Sequence, residues 1–179
     1  MSKIKVLDKE FELFIKGEYL REVVSEMAQK IDRDLEGKEV VFTVILNGAF
    51  IFASDLVRQL CTDCQINFLK LASYAGTSTT GEVRKLIGLN EDMRNKTIVV
   101  LEDIVDTGIT LEHIIGQLKA REPDEIRVAT LLFKREVYMK DIPLDYVGIE
   151  IPDQFVVGYG LDYEGFARNL ADIYREVSA

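Results

Sequence analysis

Residues 98–111 read IVVLEDIVDTGITL. An apolar run gives way to Glu102 and Asp103, and Asp106, Thr107 and Gly108 follow at once. An ordinary strand flank would call for no particular polar residues, and an ordinary turn for one Gly or Asn. Here three carboxylates, two threonines and a glycine separate an apolar strand from a segment of helical spacing. The stretch reads as a strand–loop–helix unit whose loop carries chemistry.

The same alternation extends outward. Between 18 and 35, Leu20, Val23, Val24, Met27, Ala28, Ile31 and Leu35 recur at helical spacing with charged residues opposite, and Gly37 ends the segment. The continuous apolar run VVFTVIL at 40–46 suits a parallel strand covered on both faces. Asn47-Gly48 breaks it, and 49–60 returns to helical spacing. Ile66, Phe68 and Leu71 alternate with Asn67 and Lys70, which predicts a strand over 66–73. The stretch 74–83, YAGTSTTGEV, is a Gly/Ser/Thr-rich loop. Further strands are predicted at 98–101, 126–133, 146–151 and 155–157, and a helix at 110–120. This order implies βαβ units and an α/β fold with a mainly parallel sheet. With no repeat and no linker, 1–179 reads as one domain. Ligands of such folds bind outside the carboxyl ends of the strands, where Asn47-Gly48, Glu102 to Thr110 and Lys134-Arg135 fall.

Composition narrows the function. With 179 residues, 47% hydrophobic and 30% charged, the chain can build a full core. A net charge of −9 argues against a general nucleic-acid or anionic-membrane surface, while a local site for a phosphorylated small molecule stays open. The start, MSKIKVLDKEFELFI, lacks the apolar core of a signal peptide, and no long apolar run follows, so the expected location is cytoplasmic. Cys61 and Cys64 form a CTDC pair; a zinc site would need two more ligands, and the single histidine is His113. The pair is read as reduced structural thiols.

The loop itself suggests two ligands. Asp106 to Thr110 leads into a helix start, where unpaired N–H groups and the positive dipole end favour an anion, and Gly108 lets a ligand approach the backbone. A simple helix cap explains Thr110 but not the acidic pair upstream. Adjacent carboxylates at Glu102 and Asp103 suit a hard cation such as Mg²⁺ or the hydroxyls of a sugar. Neither GxxxxGK[ST] nor GxGxxG is present, so this is a sugar-phosphate site and not a Walker or dinucleotide loop. Taken alone, Lys134-Arg135 reads as a solvated strand end, Phe155 as core and His113 as an exposed helix residue.

LEDIVDTGITL resembles the phosphoribosyl-diphosphate-binding motif of the type I phosphoribosyltransferases. ILNGAF at 45–50, LASYAGTSTTGEV at 71–83, LLFKRE at 131–136 and PDQFVVGYGLDY at 152–163 resemble segments of its hypoxanthine (hypoxanthine-guanine) branch, in the same order. The resemblance implies a parallel sheet flanked by helices, a small hood, and a flexible active-site loop containing Ser73 and Tyr74. It also implies purine salvage: 5-phosphoribosyl 1-diphosphate and hypoxanthine, or guanine, would give IMP or GMP and diphosphate with Mg²⁺. By the same resemblance, Glu102 and Asp103 serve the ribose hydroxyls and the metal, and Asp106 is the general base at N7 of the purine. The amides of Asp106, Thr107, Gly108, Ile109 and Thr110 cradle the 5′-phosphate, while Asn47, Gly48 and Arg168 meet the diphosphate. Lys134 donates to the 6-oxo group, Phe155 stacks on the base, the Val156 backbone reads its other edge, and Asp162 lies near the base and a second metal. A homodimer or homotetramer is expected. Asn47 departs from the lysine common at its position, and the tail ADIYREVSA departs from the usual ending and carries no expected functional weight. The alternatives are a non-catalytic nucleotide-sensing regulator on the same fold, or a xanthine-preferring transferase.

Overall fold

The computed structural model describes residues 3–72, 84–87 and 92–177; Ser73, Tyr74 and the rest of the predicted 74–83 loop lie outside them. The chain begins with an antiparallel hairpin, β1 (Lys3–Val6) and β2 (Lys9–Ile15). Helix α1 (Gly17–Asp34) follows and buries Leu20, Val23, Val24, Met27, Ala28 and Ile31, the stripe that the spacing predicts. Then come β3 (Val40–Leu46), α2 (Phe50–Val57), β4 (Cys64–Ala72), β5 (Arg84–Ile87) and β6 (Thr97–Val105). The remainder is α3 (Ile109–Lys119), β7 (Glu125–Phe133), a 3-10 turn at Arg135–Val137, β8 (Tyr146–Glu150), β9 (Val156–Val157) and β10 (Ile173–Glu176).

Among the described residues ten strands make two sheets. The larger has the order β5-β4-β3-β6-β7-β8, with β4 to β8 parallel and β5 antiparallel at the edge. Its central strand β3 is apolar at every position but Thr43 because both faces are covered. Val40, Phe42 and Val44 of β3 join the cluster with Leu20, Val24 and Phe52 of α1 and α2. Val41 and Ile45 join Ile114 and Leu118 of α3 on the other face. The smaller sheet, β1-β2-β10-β9, is antiparallel and sits at the hood. Ile15, Val156 and Ile173 tie it into the main core, and the Gly17 amide donates to the Asp172 carboxylate at 2.7 Å.

Four expectations are revised. The alternation at 66–73 does not mark the buried face of β4: Asn67 and Leu69 are buried, whereas Ile66 and Phe68 are 41% and 45% exposed. Asn67 stands beside Thr43 in the β3–β4 register and accepts a hydrogen bond from the Phe68 amide at 2.8 Å. Packing on the neighbouring strand, and not side-chain polarity, sets that strand's orientation. Second, β6 does not stop at 101 but continues through Glu102 and Asp103 to Val105. Third, Phe155 precedes β9, and β9 pairs in the hood sheet instead of the main one. Fourth, the tail, for which no strand was expected, supplies β10, the strand between β2 and β9. Among the described residues no helix is long and apolar enough to cross a membrane.

Candidate active site

Three strand ends and the hood loop converge at one edge of the main sheet. β3 ends at a cis peptide between Leu46 and Asn47, and Asn47 is exposed. Gly48 packs its backbone directly on the Asp103 carboxylate, so a β-carbon there would overlap it. Gly160 in turn rests on the Gly48 carbonyl oxygen. Two glycines therefore let the Gly48 backbone sit between the Asp103 carboxylate and the backbone at Gly160.

The acidic pair lies within β6. Glu102 is 7% exposed and Asp103 half-buried. Burial pushes the Glu102 carboxyl well up, and the neighbouring Asp103 and Asp106 charges add to it. Burial likewise raises Asp103 to about 6, partly offset by local backbone N–H groups and the Arg168 charge. Among the described residues no Lys or Arg forms an ion pair with either carboxylate. Ionising the pair is therefore costly, and a hard cation or hydroxyl donors would relieve that cost.

Past β6, Asp106 is exposed and accepts from the Thr107 amide at 2.6 Å, so in the free protein one of the amides assigned to phosphate is engaged internally. Gly108 holds φ +80 as the residue capping α3, and Ile109 and Thr110 form the first exposed turn of that helix. Gly108, and not Thr110, is the cap. The loop is backed by the segment after β7: the Met139 amide donates to Thr107 O at 3.2 Å, and the Tyr138 ring and Lys140 stem press on Gly108.

Lys134 joins the same mouth. Its amide donates to Val105 O at 2.9 Å, which puts it beside the strand end carrying Asp106. Its side chain, 13% exposed, forms an ion pair with Asp153 at 2.8 Å. Arg135 instead pairs with Glu150 outside and behaves as the solvated end. Phe155 is 41% exposed, with Tyr163 edge-on at 5.9 Å and Phe11 behind it at 6.2 Å. The Lys9 ammonium sits 5.2 Å from the Phe155 ring centre. Val156 is buried in β9. Asp162 is held by Arg168 at 2.6 Å and by the Gly165 amide at 2.7 Å, while Arg168 also donates to Gly160 O at 2.7 Å.

Contacts thus link Gly48 to Asp103, Lys134 to the strand end before Asp106, and Asp162 through Arg168 and Gly160 to Gly48, while Ser73 and Tyr74 lie outside the described residues. The sequence reading missed Phe11, Lys9 and Tyr163 around Phe155; the first two belong to the hood hairpin, for which no strand was expected. Cys61, exposed, and Cys64, half-buried, are free thiols in a turn where Asp32 accepts from the Cys61 and Thr62 amides. His113 is exposed and paired with Gln117 at 2.7 Å. A separate 380 Å³ cleft lined by Ile115, Pro123, Ile126 and Pro143 opens at the amino end of β7, away from this chemistry.

Comparison with known proteins places the geometry. Hypoxanthine-guanine phosphoribosyltransferase of Staphylococcus aureus is 39% identical over 160 residues, 89% of each chain. A crystal structure of a hypoxanthine-guanine phosphoribosyltransferase from Bacillus anthracis superimposes with a TM-score of 0.86 at 39% identity, covering 93% of this chain and 97% of that one. A hypoxanthine phosphoribosyltransferase structure from S. aureus gives 0.87 at 38% identity, covering 93% and 91%. The sheet order, the Asp-Thr-Gly turn and the strand-end acids agree with a match of residues 16–164 to the phosphoribosyl transferase domain, and the chain belongs to that family.

Proposed function

We propose that this chain, as a single phosphoribosyltransferase domain, transfers the phosphoribosyl group of 5-phosphoribosyl 1-diphosphate to hypoxanthine, and also to guanine. The observation that carries the reading is the pairing of Lys134 with the end of β6: a donor-only cation stands one hydrogen-bonded rung from Asp106. A 6-oxopurine laid across Phe155 would offer its carbonyl oxygen to Lys134 and its N7 proton to Asp106. The N9 atom forms the new bond to C1 of the ribose as the C1–O bond to diphosphate breaks, and the N7 proton passes to the Asp106 carboxylate. The amides at 106–110 bind the 5′-phosphate at the α3 start, with the Thr107 amide exchanging its contact with Asp106 for the ligand.

Glu102 and Asp103 fit Mg²⁺, with Asp162 nearby for a second ion. Mg²⁺ keeps several waters and takes only one or two protein carboxylates beside substrate oxygens. The lack of a cluster of three ligands among the described residues therefore does not conflict with it. When bound, the ion neutralises charge on the departing diphosphate. The exposed Phe50, Ile66 and Phe68 side chains support self-association as a homodimer or homotetramer, and we place the protein in the cytoplasm.

The test is to mix the protein with hypoxanthine, guanine, xanthine or adenine, the ribosyl donor and Mg²⁺, and to follow nucleotide formation. Nucleotide should form with hypoxanthine and guanine, stop on adding a strong chelator and return with excess Mg²⁺. Silence with both 6-oxopurines, or full turnover under chelation, overturns the reading.

A further inference from the structure

Tyr159 has an unusual position. It lies between Gly158 and Gly160, takes φ +51, and is 5% exposed. A side chain bearing a β-carbon holds that left-handed conformation only where its surroundings demand it. The demand is visible at the other end of the ring: the Tyr159 hydroxyl donates to Asp55 Oδ2 at 2.6 Å, across 104 residues of chain. Burial, with the Asp55 carboxylate beside it, drives the phenol pKa far up, so it remains a donor. Such a charge-assisted bond is about twice as strong as a neutral one.

Both partners lead straight to the site. Asp55 belongs to α2, which starts two residues after Gly48. The helix is continuous with the loop: the Ala49 amide donates to Ile45 O, Phe50 to Asn47 O and Ala53 to Ala49 O. Tyr159 adjoins Gly160, whose amide donates to Arg168 O at 2.9 Å and whose carbonyl takes the Arg168 guanidinium. Arg168 holds Asp162. The loop-plus-α2 body and the 158–168 arm therefore touch at two points, Gly48 on Gly160 and Asp55 on Tyr159. One contact alone would be a pivot. Two contacts, separated by the length of α2, define an orientation.

We propose that Tyr159 and Asp55 are positioning residues that keep the Asn47–Gly48 loop in register with the Asp162–Arg168 arm, and so shape the diphosphate half of the site. This rests on the functional reading above. The bland alternative is that Tyr159 merely fills core, in which case its hydroxyl is dispensable.

Tyr159→Phe keeps the ring and removes only the donor; Asp55→Asn keeps an acceptor oxygen but not the charge. KM for 5-phosphoribosyl 1-diphosphate and for hypoxanthine is measured at saturating Mg²⁺, with amide hydrogen exchange on the ligand-free proteins. In Tyr159→Phe the donor KM should rise about tenfold, the size of one bond to a charged group, while the base KM stays within about twofold. Asp55→Asn should fall between it and the wild type. Exchange at the Ala49, Phe50 and Gly160 amides should quicken in Tyr159→Phe. An unchanged donor KM, an equal rise in both KM values, or a lowered melting point without local exchange change overturns the inference. If the wild type makes no nucleotide, the functional reading has failed, and the exchange comparison alone decides whether the clamp exists.

Discussion

Asp103→Asn should make the protein relatively more stable as pH rises. A carboxyl whose pKa is raised on folding holds its proton more tightly in the folded state than in the unfolded chain. Its favourable contribution is complete below the unfolded value near 4 and is lost as pH climbs through the folded value. For Asp103 that window runs from its ordinary 3.8 to about 6. At about 1.36 kcal/mol per pH unit the move corresponds to about 3 kcal/mol, and solvent screening of a half-buried group reduces it to about 1–2 kcal/mol. Glu102 shifts in the same direction and remains in the variant without the Asp103 charge that adds to its shift, so the difference between the two proteins reports Asp103 together with its coupling to Glu102. For a chain of this size the effect amounts to a melting-point change of about 2–8 °C. Thermal unfolding of wild type and Asp103→Asn is recorded in chelator from pH 4 to 7.5. The melting point of the variant should gain on that of the wild type across pH 4 to 7, and Mg²⁺ with diphosphate should narrow the gap by stabilising the wild type. A difference that stays flat, or runs the other way, refutes the burial argument.

Other outcomes follow from the same geometry. Asp106→Asn keeps its shape but accepts no proton, so turnover should fall by about 10²–10⁴ while nucleotide affinity changes far less; equal losses in both would make Asp106 a binding residue only. Lys134→Met should narrow the preference for hypoxanthine over adenine, a ratio of about 10⁴ in the wild type, chiefly by weakening hypoxanthine. The kcat/KM values of the two bases decide this, and an unchanged ratio would remove Lys134 as reader of the 6-position. Gly48→Ala drives a methyl into the Asp103 carboxylate, which at an overpacking cost of about 1–3 kcal/mol should raise the donor KM about tenfold or more; wild-type donor kinetics would show that the loop shifts freely.

The parts of the fold that could be read from the chain are those whose burial is complete. β3 matches 40–46 residue for residue because both of its faces are covered, and α1 matches within a residue because one unbroken apolar stripe meets the sheet. The Asp-Thr-Gly turn was legible because its residue types suit little else. β4 misled because a half-covered strand is oriented by its neighbours, which polarity alone does not reveal. The hood was illegible for another reason: β1, β2 and β10 are short, rich in charge, and acquire a buried face only when distant segments pair. Within the site, residue types marked where chemistry belongs, but not which of them are engaged with one another. The pairs Lys134–Asp153, Asp162–Arg168 and Tyr159–Asp55 are tertiary contacts that no local period records.

The place of β10 between β2 and β9 has a consequence for the order in which the molecule can be made. Arg175 meets Glu12 across 163 residues of chain, and among the described residues β9 finds its strand partner in β10 alone. As a ribosome delivers the chain from its amino end, the β3–α3 half, with the acidic pair and the Asp-Thr-Gly turn, has its β3, β6 and β7 pairings by about residue 133. The β2 edge, however, must wait as an open hydrogen-bonding rim until residues 173–176 emerge. The shelf bearing Phe155 is then locked last, by a closure that joins early and late synthesis. A nascent chain would therefore hold the strand-end acids and the Asp-Thr-Gly turn before the shelf bearing Phe155, and the 158–168 arm would come to rest on Gly48 only after both are made.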